Sequence, residues 1–439
     1  MSKKIHPYSA YKKTGIKWMD SVPNNWQVKP IKYVVTCNDD VLSEGTPKDF
    51  EIKYVEVGGV SEQLGIESFS TLEFGDAPSR ARRLVAHGDT IVSTVRTYLR
   101  AIAPVINPPE NLVVSTGFAV IRPKGIQSDF ARYLLSTEYF MSEVISHSTG
   151  VSYPAINTPE LMNIKVAIPT PKEQAAISIF LNKEIAKIDD LIQKQEKLVN
   201  FSVEARQALI SHAVTKGINR KVKLRQTDVK WFGEIPSHWN HSKLGLYSKR
   251  VVVGIAEAAT QAYQDSGTPI LRATNIRPMK IIGDLLYLND GFADDRESKS
   301  LNAGDLVTVR TGNAGVTALV PKELHGCQCF TMLITTVNDK LNPEFMNYWM
   351  NSSPAQSYFS IEGWGTAQVN ISVPILKQLP IPIPPLSEQD EIVAYLESKT
   401  SEIDCLISKT KESLALLKER RDSLISAAVT GKIDVREAA

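Results

Sequence analysis

The chain has 439 residues, enough for two or three domains with their own cores. Its 43% hydrophobic and 22% charged content is that of an ordinary water-soluble protein, and a net charge of +2 excludes a uniformly basic nucleic-acid coat. Four cysteines do not make a disulfide framework, and no run nears the roughly 18 apolar residues of a membrane span.

The start, MSKKIHPYSAYKKTG, lacks the apolar core of a signal peptide, so a cytoplasmic protein is expected. A lead-in follows in which Trp18, Pro23 and Trp26 keep a spacing that returns at Trp231, Pro236 and Trp239. These tryptophans are expected to anchor each domain by packing rather than touch a ligand. Short β-branched runs at 52–57 and 270–276 read as strands. Gly88-Asp89 and Gly304-Asp305 each turn the chain into a further strand, 90–97 and 306–311, both ending Thr-Val-Arg-Thr. Short helices are predicted at 130–144 and 343–359. Loops opening at Gly150 and Gly365 then return through the Pro-rich stretches 166–169 and 381–385.

Each return leads into a long helix. Residues 171–216 hold no internal glycine or proline, and Ile177, Leu181, Ile188, Leu191, Leu198 and Leu209 recur at helical spacing. Thr170 with Glu173 forms a cap signal, and Gly217 permits the stop. The second stretch, 386–431, aligns with the first without a gap: Glu173-Gln174 matches Glu388-Gln389, Asp189 matches Asp404, and Arg206 matches Arg421, all displaced by 215 positions (388 less 173). The chain is an internal duplication.

The fold class expected is α+β: two mixed α/β domains, 1–170 and 217–385, separated by two long helices, 171–216 and 386–431, with a tail at 432–439. The helices should pair as an antiparallel coiled coil, making a pseudo-twofold internal repeat with a mixed domain at each end of a rod. A register in which paired residue numbers total about 604 would set Glu184 against Arg420 and Glu204 against Lys399.

The doubled W-x4-P-x2-W lead-in, the Gly-Asp turn before a strand, and the helix starts at 169–177 and 384–392 resemble the specificity (S) subunits of type I restriction–modification enzymes. The resemblance covers nearly the whole chain. It implies two target-recognition domains, each reading one half of a split DNA target in the major groove, with the coiled coil as spacer ruler. It further implies a scaffold on which two modification (methyltransferase) subunits dock, with restriction (translocase/nuclease) subunits joining through them, and no membrane partner. The chain itself would be non-catalytic and hold no cofactor; S-adenosylmethionine, ATP and Mg2+ would belong to partner subunits.

Candidate DNA contacts are less sharply marked. Arg80, Arg82 and Arg83 form the densest basic cluster of the first domain; Arg96, Thr97 and Arg100 follow the Gly-Asp turn, and Tyr153 lies in the later loop. In the second domain the candidates are Arg272, Asn275 and Arg277, then Arg310, Thr311 and Asn313, then Gln368, with Tyr98 and Trp364 as further loop aromatics. Arginine reads guanine and Asn or Gln reads adenine by paired hydrogen bonds, while threonine suits phosphate. Each position equally fits a solvated surface charge or a packing aromatic.

Catalytic look-alikes are weaker. Asn107-Pro108-Pro109-Glu110 resembles an adenine-methyltransferase motif but ends in Glu where the base-stacking aromatic belongs. Asp40, Glu51 and Lys53 mimic nuclease metal-site residues, and His325, Cys327 and Cys329 offer metal donors without a second cluster, which suits buried thiols better. No G-x4-G-K-S/T loop occurs. Two readings stand against a recognition scaffold: a self-contained DNA nuclease or methyltransferase, and a coiled-coil protein adaptor.

Overall fold

The structure, a computed structural model, describes residues 6–16, 19–61, 65–255, 262–294, 297–365 and 369–438, the side chains of Asp294 and Glu297 excepted. Trp18 of the first lead-in lies outside the described residues. The chain divides into two compact units, Met1–Glu196 with Glu412–Ala439, and Lys197–Lys411. Each unit therefore combines one mixed domain with part of both long helices. Among the described residues no helix is long and apolar enough to cross a membrane.

In the first unit an antiparallel sheet runs in the order Ile102–Pro104, Thr90–Ser93, Phe118–Pro123, Val35–Cys37. Its central strands are buried on both faces, which is why they read as continuous apolar runs. A second sheet is ordered Ser70–Glu73, Glu51–Val55, Leu112–Ser115, Ala81–Leu84, with the middle pair parallel. The second unit repeats the first sheet as Thr317–Leu319, Leu306–Thr308, Leu333–Val337, Ser248–Val253. Its other sheet keeps the parallel pair, Thr268–Leu271 with Gln328–Cys329, but adds Tyr263–Gln264 beyond Leu286–Leu288. Among the described residues it carries no strand where the first unit has Ala81–Leu84. The frame is shared and the outer strands differ.

The buried aspartates of the two Gly-Asp turns show the same pattern. Asp89 accepts from the Ala86 amide and Asp305 from the Asn302 amide, both at 2.8 Å. Asp89 is neutralised by Arg122 of strand Phe118–Pro123 at 2.8 Å, Asp305 by Arg250 of strand Ser248–Val253 at 2.6 Å. One buried charge is met from the adjacent strand in the first copy and from the next strand out on the same side in the second.

Each predicted short helix is in fact two. Thr137 interrupts the first and caps Glu138–Ser146 by accepting from the Phe140 amide, so Ser128–Leu135 ends before it. Asn351 and Ser352 divide Pro343–Met350 from Ser353–Glu362, where Pro354 suits only a helix start.

The long helices span Pro171–Lys216 and Leu386–Val429. Their starts explain the Glu-Gln pair of the repeat. Thr170 and Glu173 form the expected reciprocal cap. Glu173 also accepts from the Trp26 indole at 3.3 Å, and Glu388 from the Trp239 indole at 2.9 Å. Gln174 and Gln389 donate back to Pro169 and Pro384 while accepting from the amides of Gln127 and Asn342. Trp26 and Trp239 are thus buried anchors, each locked to a helix start, whereas Trp231 is half-buried.

Within the first unit Ile177, Leu181, Ile185 and Ile188 share a core with Ile425, Ala428 and Val429. Asp189 meets Arg421 at 2.9 Å and Glu196 meets Lys418 at 3.4 Å, so numbers rise on one helix as they fall on the other. Within the second unit Ile210, Ala213 and Val214 pack with Ile392, Val393 and Leu396, and Arg206 meets Asp404 at 2.9 Å. The pairing is antiparallel in both. The register corrects the expected one: 189 with 421 and 206 with 404 each total 610 rather than about 604. Glu184 binds Lys187 on its own helix, and Lys399 binds Glu402. Leu191 and Leu198 are exposed, so the buried stripe is shorter than periodicity predicts.

Candidate nucleic-acid interface

In the first unit two loops are tied side by side. Val95 bridges Ala155, Thr149 also bridges Ala155, and the Ile156 amide donates to Thr94 at 3.0 Å. Arg96, in left-handed backbone, lays its guanidinium 4.9 Å from the Tyr153 ring centroid. Arg80 donates to Glu56 at 2.7 Å and to the Tyr54 hydroxyl at 3.2 Å, and the Glu56 bond holds its pKa above the ordinary value. Arg80, Arg96 and Tyr153 line one open groove of about 490 Å³ together with Glu56, Val57 and residues 115–117. Three sequence candidates therefore converge on one surface.

The second unit repeats the plan with other residues. Asn370 bridges both Thr311 and Trp364, and its side chain accepts from Arg310 Nε at 3.1 Å. Trp364 is 73% exposed. Asn313 is exposed at the edge of a shallow groove with Ala314, Gln356 and Ser360. Gln368 lies outside the described residues.

Several candidates are placed otherwise. Thr97 is buried, its hydroxyl 2.8 Å from Ser148, so it holds the loop from beneath and offers nothing to a phosphate. Arg100 is paired with Glu138 at 2.6 Å. Arg82 lies over the Phe74 ring at 4.7 Å, and Arg83 is half-buried, burial pushing its pKa down. Asn275 is 3% exposed and spends its amide on Arg272, Ile282 and Asp284 backbone, closing a turn. Arg272 is half-buried at that turn, and Arg277 folds back on the carbonyls of Thr274 and Ile276. Asparagine competes for local backbone wherever the chain turns, as Asn275 does here, whereas Thr97 is spent on a side-chain hydroxyl far along the chain.

A family profile described as type I restriction modification DNA specificity domain matches residues 23–200 and 258–415, once over each copy of the repeat and over most of the chain. The chain belongs to this family. It is 22% identical over 441 residues to the putative type I restriction enzyme MjaX specificity subunit of Methanocaldococcus jannaschii, covering 97% of each. A chain from a structure of complex assembly and conformational transition in the type I R-M system shares its fold, with TM-score 0.70 and 21% identity over 94% of this chain and 99% of that one. The HsdS subunit from Thermoanaerobacter tengcongensis does so with TM-score 0.52 and 20% identity, over 94% and 98%. Membership makes this specificity chain a recognition component, not a catalytic one.

The catalytic look-alikes of the specificity chain have structural places. Asp40 is held by Arg122 at 2.5 Å. Asn107, in left-handed backbone, donates its amide to His87 at 3.1 Å in a proline turn. Cys327 and Cys329 are buried, and burial pushes the Cys327 thiol up to about 12. Among the described residues no three His, Cys, Asp or Glu side chains are placed to hold a metal ion. Sequence reasoning missed Glu56 and Tyr54, which set the Arg80 guanidinium. Only their position at a strand end facing the Arg80 loop marks them, and that needs the sheet order.

Proposed function

We propose that this chain is the DNA specificity subunit of a type I restriction–modification complex, each unit reading one half of a split target. The observation that carries the reading is the contrast between repeated frame and unrepeated loops. The ion pairs Asp189–Arg421 and Arg206–Asp404 are one contact written twice, and Arg96 and Arg310 stand at one repeated place, whereas Arg80 and Tyr153 beside Arg96 give way to Asn313 and Trp364 beside Arg310. Identical readers would select a palindrome; different readers on a duplicated frame select two unlike half-sites.

The long helices act as the spacer ruler. A continuous helix of 46 residues runs about 70 Å, ample for half-sites one or more DNA turns apart. Two methyltransferase subunits dock on the scaffold, and restriction subunits join through them. Exposed Leu191 and Ile179 in the first unit, and Phe201 and Leu406 in the second, supply apolar docking surface. S-adenosylmethionine, ATP and Mg2+ are used by those partners, in the cytoplasm.

The test is reconstitution with the methyltransferase partner followed by methylation-sensitive sequencing. A bipartite motif is expected, and four residues inserted into both long helices should lengthen its spacer or abolish binding. An unchanged spacer sinks the ruler; cleavage or methylation by the chain alone favours a self-contained enzyme.

A further inference from the structure

The turn Thr97–Leu99 of the first unit is built more stiffly than a surface loop requires. Arg96 and Arg100, on either side of it, both hold left-handed backbone, with φ of 51° and 52°. Side-chain-bearing residues rarely adopt that conformation and keep it only where their surroundings enforce it. Here three anchors do so. Thr97 is buried on Ser148, Arg100 is paired with Glu138 at 2.6 Å, and Arg96 is stacked on Tyr153. Hydrogen bonding to Arg100 holds the Glu138 carboxyl below its ordinary pKa, so the anchor stays charged near neutrality.

What the anchored turn presents is apolar. Tyr98 is 54% and Leu99 48% exposed, and Val151 across the loop pair is fully exposed. The exposed pair follows directly on Arg96, which lines the groove together with Arg80. A protein partner is ordinarily met by a broad apolar patch. A base stack is entered by one or two projecting apolar side chains, with cations beside them to meet the phosphates.

We propose that Tyr98 and Leu99 form a wedge that enters the base stack of the first half-site and opens one base step. The proposal rests on the recognition reading above and adds that the first unit deforms its DNA. Wedge insertion also accounts for the backbone strain, because a compliant turn would fold away rather than part stacked bases.

The experiment uses the whole complex with its methylating subunits and duplexes carrying 2-aminopurine at successive positions of the first half-site, away from the methylated adenine. The wild-type complex should raise fluorescence at one position. The variant Y98A/L99A, altered only at exposed side chains, should lose that rise and bind about tenfold more weakly, the loss of one stacked aromatic. Y98F should retain it. No rise with wild type, or an undiminished rise with Y98A/L99A, overturns the wedge. Failure of Y98A/L99A to assemble with the methylating subunits assigns the turn to a protein partner and overturns it equally. A wild-type complex without sequence preference in the binding arm overturns the recognition reading itself.

Discussion

Asp189 and Arg421 lie 2.9 Å apart across the long helices of the first unit, and the repeats of these two residues, Asp404 and Arg206, make the same contact at 2.9 Å in the second. Duplication of one helix thus supplied both partners of both pairs. Each pair is partly exposed, so its effect on stability is small, but like charges at the same place would oppose the register. Arg421→Asp should lower the melting temperature of the first unit, and adding Asp189→Arg should recover most of the loss. A coupling of about 0.5 kcal/mol is expected from a double-mutant cycle. Zero coupling would deny the pair a part in setting register.

The two helix-ending glycines separate backbone from packing. Gly217 and Gly431 both have φ of +73°. A Cβ on Gly431 would lie 2.4 Å from Pro23 Cδ, an overlap, whereas one on Gly217 would meet Glu388 Oε1 at 3.2 Å and the Trp239 ring at 3.3 Å, tight contacts that a shift of a few tenths of an ångström relieves. Both alanine variants should lose about 1 kcal/mol to the left-handed backbone. Gly431→Ala should lose distinctly more, read by urea unfolding; equal losses would place the whole effect in the backbone.

Glu173 predicts an acid limit. Burial raises its pKa, but hydrogen bonds from Thr170, Asn25 and Trp26 outweigh it, and the net pKa is lowered. A depressed carboxylate stabilises the fold above its unfolded pKa, and that contribution vanishes as pH falls through the folded value. Stability measured from pH 6 to about 2.5 should therefore fall more steeply in the wild type than in Glu173→Gln. The variant should be the less stable at neutral pH, and parallel curves would argue against the assignment.

Among the described residues, removing Arg250 leaves the buried Asp305 carboxylate with the Thr336 hydroxyl and the Asn302 amide as hydrogen-bond partners. Arg250→Met should destabilise the second unit by about 3 kcal/mol, with Asp305→Asn in the same background restoring part of it. Proteolysis confined to the second unit would report the effect; an unaltered second unit contradicts it.

For DNA, Arg96→Ala should weaken the reconstituted complex by about 1–3 kcal/mol if it reads a base, and relax the first half-site while the second stays unchanged. Asn275→Ala should instead destabilise the second unit without altering the motif. Titration over a salt series and sequencing of methylated sites distinguish the two.

The sequence by itself determined the duplication, the two long helices with their Thr170–Glu173 cap and Gly217 stop, and the family. All of these rest on local periodicity or on identical residues at one offset, which need no tertiary knowledge. Register was not among them. A seam with apolar residues three and four apart offers several nearby registers, so totals of about 604 and 610 are hard to tell apart by pattern. The docking of Trp26 on Glu173 and Trp239 on Glu388 ties each helix start to its domain, and the Asp–Arg pairs record the register that results. Arg80 and Arg83 look alike in sequence, yet sheet geometry leaves one at an open groove and half-buries the other. Which cation faces solvent depends on strand order, a property of chain segments far apart in sequence, and only the tertiary structure decides it.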